Sequence, residues 1–126
     1  MRIAVVGSRN APENIAALIA AHLPRGTSEI VSGGAAGVDT AAAEVAEQLS
    51  LPITTFLPDY DKFGKSAPLK RNEQIIEYAD EVLAFWDKTS AGTGHVIATC
   101  IKVGKPIRII PLPAEKIPLK NPVNQN

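Results

Sequence analysis

The chain opens Met1-Arg2-Ile3-Ala4-Val5-Val6-Gly7-Ser8-Arg9-Asn10-Ala11-Pro12. The apolar, β-branched run at residues 2–6 predicts a buried strand. Gly7-Ser8-Arg9-Asn10-Ala11 reads as a loop, and Pro12 suits the first position of a helix, preceded by Asn10 or Ala11. Ile15, Leu18, Ile19 and Leu23 then recur at helical spacing as far as Pro24. A strand passing through a glycine turn into a helix is half of a βαβ unit, and the rest of the chain repeats it. Residues 29–31 form a second expected strand, followed by the turn Ser32-Gly33-Gly34-Ala35-Ala36-Gly37. Val38, Ala41, Ala42, Val45, Ala46 and Leu49 then make one face of a helix whose alanines let it lie close to a sheet. Residues 52–57 predict the third strand. Residues 58–68 show no period and read as a surface loop. A third helix carries Asn72, Ile75, Ile76 and Ala79 on one face, and the fourth strand spans residues 81–86. The polar loop 87–91 leads to a fourth helix over 93–103, closed by Gly104 and stopped by Pro106, and to a fifth strand at 107–110.

Five strands alternating with four helices predict an α/β fold with a parallel sheet and right-handed crossovers. The minimal doubly wound, Rossmann-like form has strand order 3-2-1-4-5 with helices on both faces. Strands one and four are then neighbours whose loops diverge to opposite faces, and the crevice between those loops is the expected ligand site. The 126 residues suit one domain, over residues 1–111, followed by a proline-rich tail at 112–126 that is expected to be extended. At 45% hydrophobic and 21% charged residues the chain can bury a core. No apolar run approaches the length of a membrane span. The first residues are too short a run for a signal peptide. Cys100 is the single cysteine, which excludes a disulfide framework, and the expected compartment is a reducing cytoplasm. With Lys+Arg 13 against Asp+Glu 13, a strongly basic, generic nucleic-acid binder is disfavoured, although a local basic patch is compatible.

Three segments converge on the expected crevice. In Gly7-Ser8-Arg9 the glycine allows close backbone approach, Ser8 can donate a hydrogen bond and Arg9 can grip a phosphate with two prongs; an ordinary turn with Ser8 or Asn10 as a cap is the competing explanation. Ser32-Gly33-Gly34-Ala35-Ala36-Gly37-Val38-Asp39 is the densest motif, with glycines expected to turn backbone N–H groups toward an anion. It is neither the spaced dinucleotide fingerprint nor a P-loop, since no lysine follows. Asp39 in the first helical turn favours the helix dipole, orients the loop or meets a ribose hydroxyl. Ser90-Ala91-Gly92-Thr93-Gly94 would form a second cradle facing the first, with Ser90 or Thr93 as cap. Arg71, in the basic pair Lys70-Arg71, can point at the crevice, and Asp87 stands at its edge. Cys100 belongs to an apolar stretch and reads as core. His22 and His95 lack ligand spacing, so no metal is expected. Trp86 either lines the pocket or covers a core edge.

Together these segments resemble the SLOG superfamily of Rossmann-like domains, over roughly residues 2–111. The nearer branch is that of the DNA-processing recombination mediators of the DprA/Smf type, on Gly7-Ser8-Arg9, Ser32-Gly33-Gly34-Ala35-Ala36-Gly37-Val38-Asp39, Arg71-Asn72 with Ile75-Ile76, and Ser90 with Gly92-Thr93. The LOG phosphoribohydrolases of the same superfamily carry PGGxGTxxE with a catalytic glutamate. Aligning Gly92-Thr93 with that GT puts Val96 at the glutamate position, and valine can neither accept a proton nor stabilise an oxocarbenium charge.

The resulting expectation is a stand-alone binding domain for a nucleotide or nucleotide-derived ligand, with Gly7, Ser8, Arg9, Ser32, Gly33, Gly34, Asp39, Arg71, Asp87, Ser90, Gly92 and Thr93 as the ligand-binding set. No catalytic residue, metal or obligate cofactor is expected beyond a possible bound nucleotide. The second expectation is single-stranded DNA binding through the same crevice plus Lys62, Lys65, Lys70 and Arg71, in a chain with few stacking aromatics. The third is a nucleotide-processing hydrolase that relies on Asp39 or Asp87. A homodimer is the default assembly, and no membrane partner is expected.

Overall fold

The computed structural model describes residues 1–113. Five strands, β1 (Arg2–Gly7), β2 (Glu29–Ser32), β3 (Ile53–Thr55), β4 (Glu81–Trp86) and β5 (Ile107–Pro111), form one sheet in the order β3-β2-β1-β4-β5. Every pairing is parallel, with Ile3 opposite Ile30 on one side and Val5 opposite Leu83 on the other. The expected doubly wound order is therefore the observed one.

Alternation along the strands divides the core into two. Ile3, Val5 and Phe85 face α1 (Ile15–His22) and α2 (Val38–Gln48), where they meet Ile19, Val38, Ala42 and Val45. Ala4, Val6 and Ala84 face the other way and meet Ile75, Val96, Ile97 and Cys100 of α4 (Ala67–Tyr78) and α5 (Ala91–Val103). Because β1 and β4 are covered on both faces, their sequences read as unbroken apolar runs. Cys100 is fully buried, as expected of a core residue.

Four local expectations are corrected. Pro12 does not begin α1: the Ile15 N–H bonds the Pro12 carbonyl at 3.1 Å in a turn, and the helix starts at Ile15 after Asn14. The loop is held back because the Val38 N–H bonds the Ser8 carbonyl at 3.2 Å, tying the chain to α2 before it can coil. Neither Ser8 nor Asn10 therefore caps α1. Residues 58–68 are not a plain loop. Asp59 caps a short helix, α3 (Tyr60–Phe63), by accepting the Lys62 N–H at 3.1 Å, and a 3-10 turn at Gly64–Ser66 leads into α4, so that among the described residues a short helix is added to the four expected. None of the α3 residues is buried, so no apolar stripe announced it. Strand β3 is confined to Ile53–Thr55, shorter than the expected 52–57, and α5 begins at Ala91, ahead of the expected Thr93. Gly104 closes α5 in the left-handed conformation, φ 77°. Of the expected tail, Leu112 still packs in the core with 4% exposure, and residues 114–126 lie outside the described residues.

No helix among the described residues is long and apolar enough to cross a membrane.

Candidate nucleotide-binding crevice

At the carboxyl ends of β1 and β4 the loops part, one toward α1 and the other toward α5, as the switch-point rule requires. Between them lies a cavity of about 530 Å³. Its walls come from residues 7–10 after β1, from Gly33, Ala35 and Asp39 after β2, from Pro68, Leu69, Arg71 and Asn72 of α4, and from residues 87 and 89–93 after β4.

The β1 loop is fixed by contacts that only small residues permit. A Cβ on Gly7 would stand 2.5 Å from the Phe85 carbonyl oxygen and 2.7 Å from Val38 Cγ2. Gly37 has φ 76°, and a Cβ there would overlap the Ser8 and Arg9 carbonyls. Ser8 is 1% exposed; its N–H bonds the Phe85 carbonyl at 3.1 Å and its Oγ accepts the Asp87 N–H at 3.1 Å. Ser8 thus joins the two diverging loops. Arg9 beyond it is exposed, and its guanidinium pairs with no acceptor among the described residues.

The glycine turn after β2 does not offer the expected row of free N–H groups. The Gly34 N–H bonds Ser32 Oγ at 3.2 Å, the Ala35 N–H bonds Asp39 Oδ2 at 3.0 Å, and the Gly33 N–H also serves Asp39. Asp39, 8% exposed, organises this turn, and burial pushes its carboxyl above the usual range against the opposing pull of the Ala35 N–H and Arg71. Arg71 reaches the crevice as expected, but its Nη1 donates to the Gly33 carbonyl at 2.6 Å and its Nε to Asn72 Oδ1 at 3.0 Å. Ser32 and Gly34 do not line the cavity: Ser32 is buried under the turn, and Gly34 faces Leu57 and Thr55. The other ten expected residues do line it.

At α5 the helix start leaves its first amides open. Ala91, Gly92 and Thr93 are its first residues, Ser90 makes no side-chain cap, and no acidic residue occupies the first turn. The N–H groups of Ala91, Gly92 and Thr93 thus have no intrahelical acceptor and border the cavity. Neither Ser90 nor Thr93 caps the helix through its side chain; the Ser90 hydroxyl is turned to Asp87 in the preceding loop instead. Asp87 accepts from the Thr89 N–H at 2.9 Å, the Ser90 N–H at 2.8 Å and Ser90 Oγ at 3.0 Å. These bonds hold its carboxyl far below the usual range. Trp86 braces the same turn from outside the cavity through Nε1 to the Ser90 carbonyl at 3.0 Å. His95 lies beyond the cavity wall, in contact with Asn72 at 3.4 Å.

Sequence reasoning missed Asn72 as a wall residue. Its signal was a polar side chain on the apolar face of α4, where it is 6% exposed. Pro68 and Leu69 carried no signal, since they enter the wall only through the packing of α4 over the sheet. Lys62, Lys65 and Lys70 stand outside the cavity, Lys70 beside Glu73 at 3.8 Å. Among the described residues no three His, Cys, Asp or Glu side chains converge as a metal site.

This geometry defines a Rossmann-type domain with its open site at the switch point. Residues 1–59, from β1 to β3, match the family model of DNA recombination-mediator protein A. The fold is similar to DNA processing protein A (DprA) of Streptococcus pneumoniae, with TM-score 0.73 and 22% identity over 87% of this chain and 50% of that one. It is also similar to DNA processing protein A of Helicobacter pylori, studied for its single-stranded DNA binding mode, with TM-score 0.69 and 23% identity over 88% of this chain and 65% of that one. The chain therefore spans half to about two thirds of the length of these two structures. No curated protein matches it in sequence. The domain is DprA-like in fold, and its first half carries the DprA sequence pattern.

Proposed function

We propose that the crevice binds a nucleotide unit by its phosphate, and that the unit belongs to single-stranded DNA. The observation that carries the reading is the unpaired Arg9 guanidinium at the cavity that the first three amides of α5 also border. A helix N-terminus attracts an anion, and an arginine adds charge-assisted bonds. Asp39, on another wall, disfavours a second phosphate and suits a sugar hydroxyl or a base N–H. The similarity to DprA, and the DNA-binding mode described for the Helicobacter pylori protein, support a DNA strand as the source of the nucleotide. A free nucleotide is the second reading, favoured by a cavity of about 530 Å³, a size that encloses a small ligand. Binding without hydrolysis fits both, because Val96 presents only an alkyl group to the cavity and Asp87 is committed to the Thr89 and Ser90 amides.

Titration of the protein with a 5′-phosphorylated oligonucleotide and with mononucleotides, each at low and high salt, separates the sources. For DNA, affinity falls steeply with salt, and Lys65→Ala, outside the cavity, lowers both affinity and salt slope. For a free nucleotide, Lys65→Ala changes nothing. No binding of either ligand at low salt would contradict the proposal.

A further inference from the structure

Arg9 borders a second, shallow and open surface cavity, of about 310 Å³, as well as the crevice. Ile15 and Ala41, both buried, and the half-buried Ala11 and Pro12 supply its apolar lining, and Gly37 with the exposed Thr40 and Glu44 completes it. Glu44 has no ion-pair partner among the described residues.

We infer that this second cavity is a subsite for the base of the nucleotide adjoining the one whose phosphate enters the crevice. The inference rests on the nucleotide reading above and adds a direction to it: the strand passes over Arg9 from the crevice toward α2. Three features support a base as the occupant. The two cavities share the Arg9 side chain, so one strand in contact with Arg9 can reach both. The lining of Ala11, Pro12 and Ala41 offers alkyl surface to a flat ring. The Glu44 carboxylate repels a second phosphate and accepts hydrogen bonds, so it selects a neutral group that carries N–H donors. Carboxylates pair with the exocyclic amine of cytosine, which thymine lacks. The subsite therefore favours cytosine over thymine.

The test compares 5′-phosphorylated oligodeoxycytidine, oligothymidine and deoxycytidine monophosphate on the wild type and on Thr40→Phe, Glu44→Gln and Arg9→Ala. Both α2 positions are exposed, and monophosphate binding reports that the crevice is intact in each variant. Thr40→Phe, which fills the subsite, is expected to weaken oligodeoxycytidine about tenfold and to leave the monophosphate unchanged. Glu44→Gln is expected to erase the preference for oligodeoxycytidine over oligothymidine. Loss of oligonucleotide and monophosphate in equal measure in Thr40→Phe, or no loss of either, overturns the subsite while an Arg9→Ala loss on both ligands upholds the crevice. If Arg9→Ala alters neither ligand, or the wild type binds no oligonucleotide, the nucleotide reading fails and the subsite fails with it.

Discussion

Arg9 and Arg71 reach one crevice but do different work. Arg71 is spent within the protein, on the Gly33 carbonyl and Asn72, so it shapes the turn that Asp39 also holds. The two aspartates both hold backbone amides, but their carboxyls are shifted in opposite directions. The Asp87 carboxyl lies below its ordinary value of 3.8, so it contributes stability that is present above that value and lost as pH falls through its lower folded value. Asp87→Ala is therefore expected to lower the melting temperature near neutral pH, with the deficit shrinking in strong acid; an equal deficit at all pH values would contradict the role of the charge. The Asp39 carboxyl lies above its ordinary value of 3.8 because it is buried. The folded state then holds the proton more tightly than the unfolded one, so stability falls as pH rises from the ordinary value through the raised one. NMR titration of the Asp39 carboxyl carbon is expected to give a pKa above that of the unfolded chain.

At the scale of elements, β1 and α5 carry the site, one by packing and one by its amides. Gly7 lies where β1, β4 and α2 meet, and its hydrogen is the only substituent that fits. Gly7→Ala must push Phe85 and Val38 apart, at about 1–3 kcal/mol in overpacking, which chemical denaturation measures. Unchanged stability would mean that the loop relaxes without cost. Thr93→Ala is expected to weaken phosphate binding less than the loss of Arg9 does, since the α5 amides remain; calorimetry of the two variants orders them. Alternating β-branched runs and glycine turns made β1, β2 and β4 legible in the sequence, because parallel strands covered on both faces leave that pattern. The start of α1 was not legible, because what delays it is the contact of the Ser8 carbonyl with α2, a long-range bond. The glycine turn was read as an anion cradle from its composition. The Gly33, Gly34 and Ala35 amides are taken up by Ser32 and Asp39, neighbours in the sequence whose side chains could fold back on the turn.

For the whole molecule, the switch point brings residues 7–10, 33–39, 71–72 and 87–93 to one end of the sheet although they are scattered along the chain. Strand order was inferable from the alternation of elements, and with it ten of the twelve expected wall residues; which of them remain available to a ligand depended on side-chain partners that only the folded chain assembles. The central claim is that the Arg9 side of this crevice takes a nucleotide phosphate. The most direct measurement is the affinity of wild-type protein and of Arg9→Ala for a 5′-phosphorylated single-stranded oligonucleotide at low salt. A charge-assisted bond is worth about 1.5–3 kcal/mol, so the variant is expected to bind about tenfold to a hundredfold more weakly, with its fold and melting temperature unchanged. Equal affinity of the two proteins would contradict the account and move the site away from this crevice.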